Sequence, residues 1–199
     1  MMSEDRHNPR NFHTLEYYLL ALLAKTDLRS LYDFHQKAFV EPGSIRISLE
    51  RLEANGFITR AESSYRNRRE FSITNAGRQF LEENWQKCLR PYPYADAIIR
   101  AAIVALFMNH PLRAATYLEG QQRLAETNAD RAQRNLEVLR QSSQSPKPLI
   151  SYRFMRAKLV SERRTVEESV LRDACAFIRS RYEQRIMEEW NEIESKGGN

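Results

Sequence analysis

Two groups of side chains in this chain have the types and spacing to meet a polyanion. The first sits on a helical repeat. Ile45, Leu49 and Leu52 recur at i, i+4 and i+7 and mark one inner face. Projected around them, Gly43, Ile47, Glu50, Arg51 and Ala54 point outward, and Ser44 and Arg46 flank that face. Such a set can read base edges: arginine bonds guanine bidentately, an apolar side chain packs on a thymine methyl, and a glutamate accepts from cytosine N4. The second group, Tyr65, Arg66, Arg68 and Arg69, crowds a short polar stretch between two β-like runs. Cationic side chains there suit phosphates or a narrow minor groove. The ordinary alternative is a solvated hairpin tip. Both groups imply double-stranded DNA as a partner.

Catalytic chemistry finds no comparable support. His7, His13, His35 and His110 lack the spacing of metal ligands. No glycine-rich phosphate loop or Ser/His/Asp set occurs, and Glu167-Glu168 and Glu188-Glu189 read as exposed helix faces. The protein is therefore expected not to be an enzyme, and no cofactor is expected. Cys88 and Cys175, the only cysteines, form neither a CxxC pair nor a disulfide framework and read as buried thiols.

The elements that must position the two groups follow from punctuation and period. Residues 1–13 are polar, contain Pro9, and are expected to be a mobile N-terminal arm. Leu15, Leu19, Leu22 and Leu23 then follow helical spacing. Thr26-Asp27 breaks that helix and can cap the next, in which Leu31 and Phe34 face inward. Glu41-Pro42-Gly43-Ser44 starts a third helix, proline being tolerated in a first turn, and Asn55-Gly56 ends it. Phe57–Arg60 and Arg69–Ile73 read as two strands of a hairpin with a basic tip. Thr74 can cap a fourth helix through Phe80, Leu81 and Trp85. Three helices, a hairpin and a capped helix make a winged helix-turn-helix, expected over residues 14–90.

Beyond Pro91 and Pro93 every segment reads as helix, and 91–199 is expected to be a helical dimerisation or sensor domain. The fold class is thus mainly α with one small two-stranded hairpin. Leu118, Gln122, Ala125, Ala129, Ala132, Leu136 and Leu139 advance by alternating fours and threes, a seam of coiled-coil type. In the last helix Val170, Ala174, Ile178, Tyr182, Ile186 and Trp190 step by four. Each such step turns about 40° around the helix, so one end can face its own domain and the other a partner chain. Val170, Ile178, Tyr182, Ile186 and Trp190 are therefore expected at a homodimer interface. Tyr17, Tyr18, Trp85, Tyr92 and Tyr94 can line a pocket for a small aromatic effector, or simply pack in core and interface.

Composition bounds these readings. At 199 residues, 29% charged beside 42% hydrophobic, the chain is neither disordered nor membrane-like. The most apolar run, Ala97 to Met108, is too short to span a bilayer, and with no signal peptide visible a cytoplasmic protein is expected. The net charge of +5 is a mild basic bias divided between both halves, so any nucleic-acid footprint must be a local patch.

The ordered motifs over residues 14–88 resemble the PadR-like transcriptional regulators. The residues that carry the resemblance are Gly43-Ser44-Ile45-Arg46, Leu49, Arg51-Leu52-Glu53 and Gly56-Phe57-Ile58. They are followed by Arg68-Arg69-Glu70-Phe71-Ser72-Ile73-Thr74-Asn75-Ala76-Gly77, a basic wing, an aromatic strand and Thr-x-x-Gly. Arg46 and Ile47 stand where the family has Tyr and Pro, so operator preference does not carry over. The resemblance implies a dimeric, sequence-specific DNA-binding regulator, a repressor by family habit. The alternative reading, from another class, is a winged-helix protein-interaction or scaffold module without DNA binding.

Overall fold

A computed structural model describes residues 12–38, 40–62, 69–142 and 148–197. The chain is mainly helical. In order it forms α1 (Thr14–Lys25), α2 (Leu31–Ala38), α3 (Pro42–Ala54), β1 (Ile58–Glu62), β2 (Arg69–Ile73), α4 (Asn75–Asn84) with a trailing 3-10 turn (Trp85–Cys88), α5 (Ala95–Phe107), α6 (Pro111–Ser142) and α7 (Pro148–Gly197). These fall into two compact units. Residues 1–90 and 100–110 group together, and so do 91–99 and 111–199. Residues 100–110, placed by sequence in the C-terminal domain, thus belong with the first unit.

In the first unit α1 is the central element, with every residue from Glu16 to Leu23 buried. The amphipathic spacing expected there gives way to burial all round, because α3, β2 and α4 all pack against this helix. Phe34, Ile45, Leu49, Leu52, Ile58 and Leu81 complete the core at 2% exposure or less. Helix ends are secured locally. The Thr26 hydroxyl donates back to the Leu22 carbonyl (2.7 Å), closing α1. Ser30, and not Thr26-Asp27, caps α2: its hydroxyl accepts from the Asp33 amide (3.2 Å) while the Asp33 carboxylate accepts from the Ser30 amide (3.1 Å). Gly56 takes φ +71° after α3, where its amide and that of Phe57 satisfy the Glu53 and Leu52 carbonyls.

The hairpin is antiparallel, with Ile58 opposite Ile73, Arg60 opposite Phe71 and Glu62 opposite Arg69. It is tied to the helices from both sides. The Phe71 amide donates to the Arg29 carbonyl (2.7 Å), and the Thr74 hydroxyl caps α4 by accepting from the Gly77 amide (3.0 Å). A Cβ at Gly77 would lie 2.1 Å from the Phe57 carbonyl oxygen, so only glycine lets α4 approach the strand entry this closely. Two further contacts close the unit: Trp85 stacks on His110, and Cys88 lies against the Ala101 carbonyl.

The second unit is dominated by α6 and α7, which run antiparallel. Gln133 accepts from the Ser161 hydroxyl (2.9 Å), Glu119 pairs with Arg179, and Glu189 accepts from the Leu112 amide (2.9 Å). The α6 seam read from sequence is buried or half-buried along its whole length. On α7 the inner positions are Ser161, Leu171, Cys175 and Ile178. The helix kinks at Tyr182 (φ −120°, ψ 18°).

Candidate nucleic-acid interface

The outer face of α3 is presented by a helix fixed on its inner side. Ile45, Leu49 and Leu52 are fully or almost fully buried, while Ser44, Arg46, Ile47 and Glu50 are exposed, Ile47 at 56%. Arg46 and Glu50 face each other at 3.9 Å as an i, i+4 pair with both side chains mostly in water. Such a pair contributes little to stability, so Arg46 can exchange its partner for a base edge or a phosphate, and Glu50 for a donor on a base edge. Nothing lies within 4 Å of a Cβ built at Gly43, so the start of this face is open to an approaching surface.

Arg51 is placed differently from the sequence expectation. Its guanidinium turns inward and donates to Glu16 Oε1 at 2.7 Å, with side-chain exposures of 15% for Arg51 and 2% for Glu16. The Ser48 hydroxyl donates to the same oxygen (3.2 Å), and the His13 amide donates to Glu16 Oε2 (2.9 Å). The physical reason is reach. Position 51 follows Ser48 by three residues on the same flank of α3, and a buried carboxylate on α1 draws the long side chain back over that flank. The guanidinium also lies 5.3 Å above the Phe12 ring, a cation–π contact. Phe12 belongs to the stretch expected to be a mobile arm, yet it is 4% exposed and packs edge-on to Tyr17, Phe57 and Phe80.

Of the wing residues, Arg69 opens β2 and is exposed. Tyr65, Arg66 and Arg68 lie outside the described residues. Arg60 on β1 pairs with Glu53 on α3 at 3.3 Å, linking the hairpin to that helix. Sequence reasoning missed both this pair and the Glu16–Arg51 pair. The only available signal was a lone glutamate inside the apolar run of α1.

The first unit is a winged helix-turn-helix. No protein-family model and no curated protein matches the chain. Among solved structures it is similar to Bacillus subtilis PadR in complex with operator DNA, at 21% identity and TM-score 0.34, over 83% of this chain and 99% of that one. It is likewise similar to the same protein in complex with p-coumaric acid, at 21% identity and TM-score 0.35, with the same coverage.

The remaining expected site residues separate by burial. Tyr17, Tyr18 and Trp85 are core residues of the first unit; Tyr92 is half-buried and Tyr94 is 51% exposed. Burial raises the Tyr18 hydroxyl pKa, with Arg100 opposing part of the effect. Of the residues assigned to a dimer interface, Val170 and Trp190 are exposed, Tyr182 and Ile186 half-buried, and Ile178 is 5% exposed within its own chain. Ile178 is corrected to an internal packing residue, because the step-of-four stripe winds onto the face that α6 covers. Both cysteines are free and buried, their thiols pushed up by desolvation to about 12 for Cys88 and about 11 for Cys175. Among the described residues no group of His, Cys, Asp or Glu can hold a metal ion, and no helix is long and apolar enough to cross a membrane.

Proposed function

We propose that the protein is a homodimeric, sequence-specific DNA-binding transcriptional regulator, acting as a repressor as the motif resemblance implies. The observation that carries this reading is the outer face of α3. Ser44, Arg46, Ile47 and Glu50 stand exposed on a helix whose other side is locked into the core. In a helix-turn-helix such a helix lies in the major groove. Arg46 then reads guanine, Ile47 contacts a thymine methyl and Glu50 accepts from cytosine, while Arg69 and the neighbouring wing residues hold the backbone. Two copies on a two-fold axis read an inverted repeat with half-sites about 34–36 Å apart, or a multiple of that. A small aromatic effector acts in this reading by favouring one arrangement of the two reading heads over another. The aromatic connector Pro91-Tyr92-Pro93-Tyr94 is the candidate site of that effect.

The test is titration of the full chain against duplexes from its own upstream region and against scrambled DNA, at several salt concentrations. Affinity that falls steeply with salt and a protected inverted repeat are expected. Indifference to duplex DNA at all salt concentrations overturns the reading and favours a protein-interaction module.

A further inference from the structure

A single buried carboxylate on α1 holds two side chains of α3. Glu16 Oε1 accepts from the Arg51 guanidinium (2.7 Å) and from the Ser48 hydroxyl (3.2 Å), while Oε2 accepts from the His13 amide (2.9 Å). The Phe12 ring lies 5.3 Å from the same guanidinium. Ser48 and Arg51 are three residues apart and so share one flank of α3. A buried ion pair gains little stability over apolar residues of the same volume. Stability alone therefore does not account for a glutamate inside the apolar run from Leu15 to Leu23.

The Arg60–Glu53 pair between β1 and α3 is of another kind. Its side chains are 40% and 31% exposed, so salt screens the pair and a phosphate can compete for the arginine. The pair of Arg51 and Glu16 is shielded from that competition by burial. Ile45, Leu49 and Leu52 hold α3 on the core, but apolar burial has no preferred direction. Charge-assisted hydrogen bonds do. Two donors one turn apart that converge on one oxygen fix the rotation of α3 about its axis. Ile47 and Glu50 each precede one of the tied residues, about 100° around the helix. Rotating a helix of ~5–6 Å radius by about 20° carries such a side chain roughly 2 Å sideways. A hydrogen bond to a base edge has a window of only about 0.5 Å.

We propose that Glu16 is a positioning residue for base recognition. Through Ser48 and Arg51 it sets the rotation of α3, and so the angle at which Arg46, Ile47 and Glu50 meet the major groove. Glu16 touches no DNA itself. The inference rests on the DNA-binding reading of α3 and adds to it a determinant on another helix. Contacts to phosphate carry no sequence information, whereas contacts to base edges do. Loss of the tie should therefore lower the preference for one sequence and spare affinity for unrelated duplex, which the phosphate contacts supply.

The test compares affinity for the protected upstream duplex with affinity for scrambled duplex in full-chain variants, folding being followed by circular dichroism and denaturant unfolding. An apolar cluster, Glu16→Leu with Ser48→Ala and Arg51→Met, should fold, because such replacements of buried ion pairs preserve stability. Its ratio of the two affinities should fall by at least about tenfold, while scrambled-duplex affinity and its salt slope stay those of the parent. Arg51→Lys keeps a cation for the Glu16 carboxylate and should keep the ratio well above that of the cluster. Ser48→Ala alone should lower the ratio by about threefold at an unchanged unfolding midpoint, and it decides the question if the cluster does not fold. A folded cluster with the parent ratio overturns the proposal and leaves the DNA reading standing. So does an Arg51→Lys ratio as low as that of the cluster, since Arg51 would then touch the bases itself. Where the cluster does not fold, a parent ratio in Ser48→Ala overturns it equally. A parent chain with no preference between the two duplexes at any salt concentration overturns both.

Discussion

The two units solve the burial problem differently. Among the described residues of the first unit only Tyr32 and Ile47 are exposed large apolar residues, and Ile47 lies on the face proposed to meet DNA. In the second, Tyr152, Met155, Leu159, Val166, Val170 and Phe177 line the outside of α7 well before its acidic end. A central helix with neighbours on all sides can bury its whole circumference. A pair of long antiparallel helices can bury only the facing stripes, so the outer faces require another layer. Monomers rarely leave so much contiguous apolar surface in water. The first unit buries its apolar surface within one chain, whereas the second leaves apolar side chains exposed along α7.

Substitutions in the two units should therefore separate folding from assembly. The largest expected effect is at the buried ion pair. Arg51→Ala leaves the Glu16 carboxylate without its cation and should cost about 3–5 kcal/mol of stability, measured by denaturant unfolding. Loss of base preference with unchanged stability would return Arg51 to the reading face. Next, Leu49→Ala should cost about 2–5 kcal/mol, because the core around it cannot close the cavity. Leu159→Ala, 66% exposed on α7, should change unfolding of the isolated chain by no more than about 0.5 kcal/mol. An equal loss at both positions would erase the contrast between the units.

Smaller effects sharpen it further. Arg46→Ala should leave stability unchanged, weaken operator binding by about 1–3 kcal/mol and relax preference at one base position. A uniform loss on operator and scrambled duplexes would make Arg46 a phosphate contact. The least visible effect is that of pH on the thiols. Cys88 and Cys175 hold their protons to about 12 and about 11, above the ordinary thiol value of 9.0. The native state thus keeps protons that the unfolded state has lost. Their contribution to stability is complete below pH 9 and disappears as pH rises towards 11 and then 12. Alkylation of the native protein at pH 8 should be slow at both sites and fast after unfolding. Rapid native labelling of Cys175 would show that the α6–α7 packing opens.

Much of the first unit was legible because its signals are local. Pro42 in a first turn, Gly56 after α3, Thr74 before α4 and alternating Phe71 and Ile73 act within a few residues of themselves, and each appears where spacing places it. The α6 seam was legible for the same reason, since a repeat of threes and fours defines a face without reference to any partner. The fate of Arg51 was not. A helical wheel supplies only the angle at which a side chain leaves its own helix, and position 51 sits at the border of the buried face. What turned it inward is Glu16, thirty-five residues earlier, held beneath α3 by the packing of α1. Ile178 shows the same limit on α7. Its step-of-four spacing is shared with Val170 and Trp190, yet the turn of about 40° per step carries it under α6, where it is buried while they are exposed. Periodicity determined which residues share a face, because that is a property of one helix. Which face is covered, and which charge finds a partner, was decided by neighbours distant in the chain, because burial and ion pairing depend on what the fold brings within a few ångströms.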